Sequence, residues 1–403
     1  MKQYPKYKDS GIQWIGQIPE EWEITRGKNM MSQITLKSDS SVKVALENIE
    51  SERGKFIATE STFDGNGIAF RKGDILYGKL RPYLKKVWLA EFDGNAVGDF
   101  FVYRNEANSI PAFIKYLLLS DSFTKIANES TNGAKMPRVS NDFVLKLQFP
   151  LPPISEQESI VRYLDDKTAK IDETVNLLEQ QKADLQQYRK ALISQTVTRG
   201  LNPNAKLKDS GVDWIGQIPE DWRTMSVKNI FNISRGRVIA TTELKENGMY
   251  PVYSSQTKNN GCMGYIDTFD YDGELITWTT DGANAGTVFH RTGRFNCTNV
   301  CGILEAKGPN IAMRYFAYLL DVVTKFYKRA DTNGYKIMSN EMAQIAILLP
   351  PLSEQQEIAD YLDTKTAKID EAIKRIDEQI ADLRAYRSAL ISDVVTGKID
   401  VRI

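Results

Sequence analysis

Leucine and isoleucine recur every seven residues along two long stretches of the chain: Leu164, Ile171, Leu178, Leu185 and Leu192, then Leu362, Ile369, Ile376, Leu383 and Leu390. Apolar residues at this spacing, with polar residues between them, mark a coiled-coil seam. Each stretch follows two prolines, Pro152-Pro153 or Pro350-Pro351, that end an incoming strand. The spacing predicts helices that start at Ser155 and Ser353 as N-caps, with Glu158 and Gln356 completing capping boxes, and that stop near Gly200 and Gly397. Roughly 40 residues at about 1.5 Å each make a rod on the order of 60 Å. A solitary helix would leave its apolar seam in water, so the two seams are expected to pair. A globular segment separates them, which makes an antiparallel coiled coil the natural geometry. The companion positions of the seam are less apolar, with Lys167, Thr168, Lys182 and Arg189 in the first copy. The stretch KTAKIDE, identical at 167–173 and 365–371, reads as a solvated face or as a docking surface used twice.

Outside the seams the pattern shifts to short β-rich runs. In 23–150 they are GDILYGKL, KKVWLAEF and DFFVYR, punctuated by Asp64-Gly65, Asn66-Gly67 and Asp93-Gly94, with a helical stretch near 110–128. In 223–348 they are MYPVYS, ELITWTT, GTVFHR and CGILEA, with a helix near 311–328. These two segments share little sequence, yet what surrounds them is repeated. KDSGIQWIGQIPEEW at 8–22 returns at 208–222 with three of fifteen positions changed, and the seam-bearing segment 151–201 returns at 349–399. A period this long makes each repeat a domain plus a connector. The expected fold class is α+β: mixed α/β domains at 1–150 and 202–348, long helices at 151–201 and 349–403, and an internal pseudo-two-fold repeat. The pairs Trp14/Trp214 and Trp22/Trp222 flank an Ile-Pro turn that reads as a hydrophobic clasp at each domain's start, or as a partner contact.

Composition narrows the classes. The chain is 42% hydrophobic and 26% charged, with 52 basic and 52 acidic residues, so any nucleic-acid face has to be local. No apolar run reaches the roughly 20 residues needed to span a bilayer, and a cytoplasmic location is expected. Three cysteines, Cys262, Cys297 and Cys301, argue for reduced thiols. The single histidine, His290, has no evident triad, no metal set is complete, and no phosphate loop ending in GK[ST] is present. Glu305-Ala306-Lys307 downstream of Asp281 is too common a pattern to signal a nuclease. Catalysis is therefore not expected.

Phosphate contacts call for Lys, Arg, hydroxyls and backbone amides, and base edges for rigidly held Arg, Lys, Asn, Gln, Ser or Thr. In the first domain the candidates are Lys79, Arg81, Lys85, Lys86, Lys135, Arg138, Ser140 and Asn141. In the second they are Arg235, Arg237, Ser254, Ser255, Gln256, Thr257, Lys258, Asn284, Arg291, Arg294, Lys336 and Ser339. Asp99 and Asp281 could accept from cytosine N4, although an Asp-Gly such as 281–282 is commonly a turn. Both domains close on a similar loop, TNGAKMPRVSN at 131–141 and TNGYKIMSN at 332–340.

The LPPxSEQ element before a long helix, the WIGxIPxxW opening and the variable-constant-variable-constant order resemble type I restriction-modification specificity subunits over essentially the whole chain. The resemblance implies that each variable domain is a target recognition domain reading half of a bipartite double-stranded DNA site, with the helices as a ruler for the unread spacer. It also implies two methyltransferase subunits and two ATP-driven restriction subunits as partners. S-adenosylmethionine, ATP and Mg would sit on those partners and none on this chain. A free-standing repressor-like DNA binder and a pure scaffold are the competing readings.

Overall fold

The computed structural model describes residues 2–38, 40–59, 66–131, 135–332 and 334–402, which leaves Asp64-Gly65, Asn132-Gly133 of the first closing loop and Asn333 of the second outside the described residues. Four helices organise it: α1 (Pro111–Leu119), α2 (Ile154–Arg199), α3 (Met313–Tyr327) and α4 (Leu352–Val395). The chain divides into two compact units, residues 1–180 with 376–403, and residues 181–375. Each unit holds part of both long helices, one mixed α/β domain and one Trp-Ile-Gly block.

The long helices begin one residue before the expected N-caps, and the predicted capping boxes do not form. Ser155 and Ser353 lie inside the first turns. Glutamine seats the helix instead. Gln157 Nε2 donates to Pro152 O (2.9 Å) and Asn108 O (3.0 Å), while its Oε1 accepts from Ile110 N (2.9 Å). Gln355 repeats this, donating to Pro350 O and accepting from Ala312 N, both at 2.9 Å. Two faces of one buried amide thus tie the helix start to the end of the domain before it, which satisfies backbone groups that a serine cap would leave in water. At the far ends, Gly200 (φ +73°) and Gly397 (φ +78°) stop the helices in the left-handed conformation. A side chain at Gly397 would strike Pro19, and one at Gly200 would meet Trp222 and Glu354. The Ile-Pro…Trp blocks therefore clasp the helix ends, with Trp22 and Trp222 fully buried.

The expected antiparallel pairing is present. In the first unit Asp172 meets Arg387 at 3.0 Å and Glu179 meets Arg384 at 2.7 Å, so the numbering falls along α4 as it rises along α2. In the second unit Arg189 meets Asp370 at 2.9 Å. Leu164, Ile171, Leu362, Ile369, Ile376 and Leu390 are buried, and Leu178, Leu185, Leu192 and Leu383 partly so. The companion column holds Thr168, Val175 and Arg189 on α2 and Thr366, Ile380 and Arg387 on α4, and both threonines have a job. Tyr116 donates to Asp165 (2.6 Å) beside Thr168 (3.3 Å), and Tyr318 to Asp363 (2.8 Å) beside Thr366 (3.2 Å). The repeated KTAKIDE stretch is thus part packing face, part solvated surface: its threonine and isoleucine are buried, while Lys170 and Lys368 are exposed.

Each domain is built on a four-stranded antiparallel sheet of one topology. Met31–Ile34, Phe100–Asn105, Ile75–Gly78 and Val87–Leu89 match Phe231–Arg235, Cys301–Ala306, Leu275–Thr279 and Val288–Arg291 in order. The stretch expected to be helical near 110–128 is two helices, because Ser120 caps a second one by accepting from Phe123 N. The second sheets diverge. Gly94–Ala96 and Arg294–Cys297 each take one parallel and one antiparallel neighbour. The fourth strand is then added on opposite edges: Lys37–Ser38 beyond the antiparallel neighbour in the first unit, Cys262–Ile266 beyond the parallel one in the second. Among the described residues no helix is long and apolar enough to cross a membrane.

Candidate nucleic-acid interface

In the first unit the strand Ile75–Gly78 runs into a loop that the closing segment covers. Val139 N donates to Lys79 O (3.1 Å), Arg81 N to Pro137 O (2.8 Å), and Leu80 bridges Arg138. Asp99 sits between two of the candidate cations, 3.1 Å from Arg138 and 3.8 Å from Lys79. Arg81 (φ +51°) and Lys85 (φ +47°) flank the short 3-10 turn Pro82–Leu84 in the left-handed region. Strained backbone of this kind persists only where the surroundings hold it, and it gathers at functional loops. Arg81 and Lys135 are exposed and form no ion pair among the described residues. Lys79, Arg81 and Arg138 are thus brought together, with Lys135 two residues before Pro137 on the closing segment.

Four other candidates of this domain face elsewhere. Lys85 is buried, with its ammonium committed to Asp121 and Ser388. Lys86 donates to Leu46 O (2.7 Å) and Ile49 O (2.8 Å), and burial lowers its pKa. Ser140 caps a helix by accepting from Phe143 N, and Asn141 accepts from the Tyr103 hydroxyl at 2.9 Å. Sequence cannot separate these lysines from their neighbours, since only the left-handed turn at Lys85 rotates them inward.

In the second unit three loops converge. Asn284 Nδ2 donates to Ser255 O (3.1 Å), which ties the 254–258 loop to the 281–284 loop. Asp281 pairs with Lys336 through the backbone, and Ile337 N donates to Thr280 O (2.8 Å), which adds the hairpin Arg329–Asp331 and Gly334–Lys336. Lys336 lies 2.6 Å from Asp331, and its ammonium holds that carboxyl below the usual range. Ser254 is held by its amide to Gly261 O at 3.0 Å and Gln256 by its side chain to Cys262 O, while Thr257 and Lys258 project into solvent.

Arg291 has a different role from the one expected. It is 3% exposed, its guanidinium lies 3.6 Å from the Tyr253 ring centre and 4.3 Å from that of Phe289, and burial lowers its pKa. A side chain at Gly261 would come 2.9 Å from that guanidinium, so Arg291 supports the 254–261 loop from beneath. Arg237 is bound by Asp270 (3.0 Å) and Glu243 (3.3 Å), Arg294 by Asp272 (2.9 Å), and Arg235 by Asn299 O. Ser339 lies in the first turn of the helix Ser339–Gln344 with its hydroxyl buried. Exposed apolar side chains at the loop tips, Tyr83, Met136 and Tyr335, were not picked out from sequence, although an aromatic beside Gly or Pro in a basic loop is the available signal.

The remaining polar chemistry is sparse. His290 pairs with Glu274 at 2.7 Å on an open surface, all three cysteines are free, and no group of three or more His, Cys, Asp or Glu suited to a metal occurs among the described residues.

Comparison with known proteins gives a consistent result. The family profile described as "Type I restriction modification DNA specificity domain" matches residues 46–187 and 219–381. "Putative type I specificity subunit S.MpnORF289P N-terminus" of Mycoplasma pneumoniae is 43% identical over 143 residues, spanning 35% of this chain and 76% of that protein. A second protein of that organism, "Putative type I specificity subunit S.MpnORF615P", is 34% identical over 218 residues, 54% of this chain and 80% of its own. A solved chain from work described as the complex assembly and conformational transition of the type I R-M system superposes with a TM-score of 0.75 at 19% identity, covering 95% of this chain and 99% of that one. The HsdS subunit from Thermoanaerobacter tengcongensis gives 0.55 at 18% identity, covering 95% and 98%. The two superpositions establish the fold.

Proposed function

We propose, from the premise that the chain belongs to the type I restriction-modification DNA specificity family, that its two domains each read one half of a bipartite double-stranded DNA target. The observation that carries this reading is the contrast within the repeat: equivalent seats at Gln157 and Gln355 and antiparallel sheets of one topology, but different second sheets and loop surfaces. A scaffold kept constant beneath two divergent loop faces is what a reader of two unlike half-sites needs. Lys79, Arg81, Lys135 and Arg138 serve the first half-site, and Ser255, Thr257, Lys258, Asn284 and Lys336 the second. Phosphate contacts from the lysines fix register, and the amide and hydroxyl groups of the second set read base edges.

The long helices set the length of the unread spacer. Two copies of a methyltransferase subunit dock on the repeated surfaces, where Lys8, Gln17 and Glu20 are exposed and recur as Lys208, Gln217 and Glu220. Internal packing does not require exposed residues to match, so their recurrence favours one partner bound twice. The chain is non-catalytic in this reading. S-adenosylmethionine belongs to the methyltransferase, and ATP and Mg to two restriction subunits. The assembly works in the cytoplasm.

Methylome sequencing of a host expressing this chain with its methyltransferase tests the reading. Exchange of 23–150 for another recognition domain changes one half of the methylated motif and leaves the other half and the spacer intact. Exchange that alters neither half, or both, refutes it. Replacing Arg81 and Lys135 by alanine weakens DNA binding and reduces the salt slope by about one for each phosphate no longer neutralised, as read by binding at several salt concentrations.

A further inference from the structure

The repeat places a comparable recess in each unit, bounded by the long helices and by the domain helix. In the first unit it is lined by Arg387, Ile391 and Leu119; in the second by their counterparts Arg189, Ile193 and Asp321. The first recess is a cavity of about 280 Å³ and the second about 510 Å³. The difference is a roof. In the first unit the turn at residues 50–55 crosses the recess, where Arg387 Nη1 donates to Glu52 O (2.9 Å) and Asp172 is met by Arg53 (3.3 Å) and Lys55 (3.1 Å). Gly54 lets the turn press onto Val87, since a Cβ there would lie 2.3 Å from the Val87 carbonyl oxygen.

Among the described residues of the second unit no turn meets Arg189 and Asp370, and of the turn Lys258–Gly261 only Asn260 lines the groove. Val288 holds the place of Val87, each paired across the sheet with the middle strand, and it lines the open groove. Asp363 is met by Arg314 and Asp321 by Lys325. Asp370 has Arg189 alone among the described residues, whereas its counterpart Asp172 has three cations. Among the described residues, Arg189 at the groove has no backbone carbonyl partner, Asp370 beside it has one cation where Asp172 has three, and no glycine presses on Val288.

We propose that this groove docks a basic, glycine-bearing turn of a protein partner, seated as residues 51–55 are seated in the first unit. The proposal rests on the reading that this chain assembles with other protein subunits. It makes the two halves of the repeat unequal as docking platforms: one carries its own turn and the other receives one in trans.

The test is binding of a fluorescein-labelled, terminally blocked peptide of residues 48–57 (NIESERGKFI) to the full chain, followed by anisotropy. One peptide per chain is expected to bind. Asp370→Asn weakens it at least tenfold with an unchanged melting temperature, and a peptide with Gln in place of Arg53 and Lys55 fails to bind. No saturable binding up to millimolar peptide, or binding indifferent to Asp370→Asn, overturns the proposal. So does concentration-dependent self-association of the chain that Asp370→Asn abolishes, because a second copy would then be the occupant. DNA methylation measured on the same protein with its methyltransferase keeps the outcomes apart: lost peptide binding with intact methylation sinks only the groove, and the reverse sinks only the DNA reading.

Discussion

Asp172 with Arg387 and Asp370 with Arg189 are the same ion pair written twice, and they stand in opposite environments. In the first unit both side chains are under a tenth exposed, and Arg53 and Lys55 close over them. In the second the carboxylate is 54% and the guanidinium 34% exposed. A buried pair is expensive to break, because the surviving charge stays desolvated, whereas an exposed pair exchanges its partner for water at little cost. One repeated contact thus serves as an internal tie in one unit and as an available surface in the other. The repeated helix does not decide which; the domain packed over it does.

The largest separation between the units is expected from removing the carboxylate. Asp172→Ala takes the carboxylate from buried Arg387 and costs about 3–5 kcal/mol in denaturant unfolding, while Asp370→Ala stays within about 1 kcal/mol. Equal costs would mean that the roof contributes nothing. A second contrast lies in the clasp. Trp222 Nε1 donates to Glu354 at 2.8 Å, but the equivalent Glu156 accepts from the Tyr4 hydroxyl at 2.5 Å, and Trp22 Nε1 has no protein partner among the described residues. Trp222→Phe is therefore expected to cost about 1.5–3 kcal/mol more than Trp22→Phe, since only the former loses a hydrogen bond to a charged group; thermal melts of the two variants decide it.

A smaller difference is expected at high pH. Burial raises the phenols of Tyr4, Tyr77, Tyr103 and Tyr116 in the first unit, with Glu156 adding to the effect at Tyr4. Burial likewise raises Tyr253, Tyr271 and Tyr315 and pushes Tyr318 up to about 12 in the second. A raised phenol means that the folded state holds its proton when the unfolded chain, with a value near 10, has released it. Its contribution is complete below about pH 10 and drains away as pH climbs toward the folded value. The strongly shifted phenols are Tyr4, Tyr77, Tyr103 and Tyr116 in the first unit against Tyr315 and Tyr318 in the second, so the first unit is expected to open first between pH 10 and 12. Mapping the earliest cleavages in brief alkaline proteolysis reads this directly, and cuts appearing first in residues 181–375 would reverse it.

Much of the frame was legible in the chain. Strict sevens of Leu and Ile named the helices, two seams with a domain between them implied antiparallel pairing, and β-rich runs such as CGILEA fell on observed strands, here Cys301–Ala306. The helix start was misread for a physical reason. A serine three residues before glutamate is a local signal, whereas the amide of Gln157 finds its partners at Asn108 and Ile110, far away in sequence. The candidate loops were half legible. Basic residues mark a region, but Lys85, Lys86 and Arg291 turn inward while Arg81 and Lys135 turn outward, although all five look alike in sequence.

What the sequence alone determined is what repetition and periodicity encode: two domains, two seams, one duplicated framework, and the family those motifs resemble. These follow from local spacing, which a single chain displays without being folded. What only the tertiary structure decided is the fate of each repeated residue. The strand added on opposite edges of the second sheets, the roof over Asp172 and the open groove beside Asp370 all depend on contacts between segments distant along the chain. Burial is a property of those contacts, and burial sets whether the same carboxylate and guanidinium hold a unit together or face the solvent.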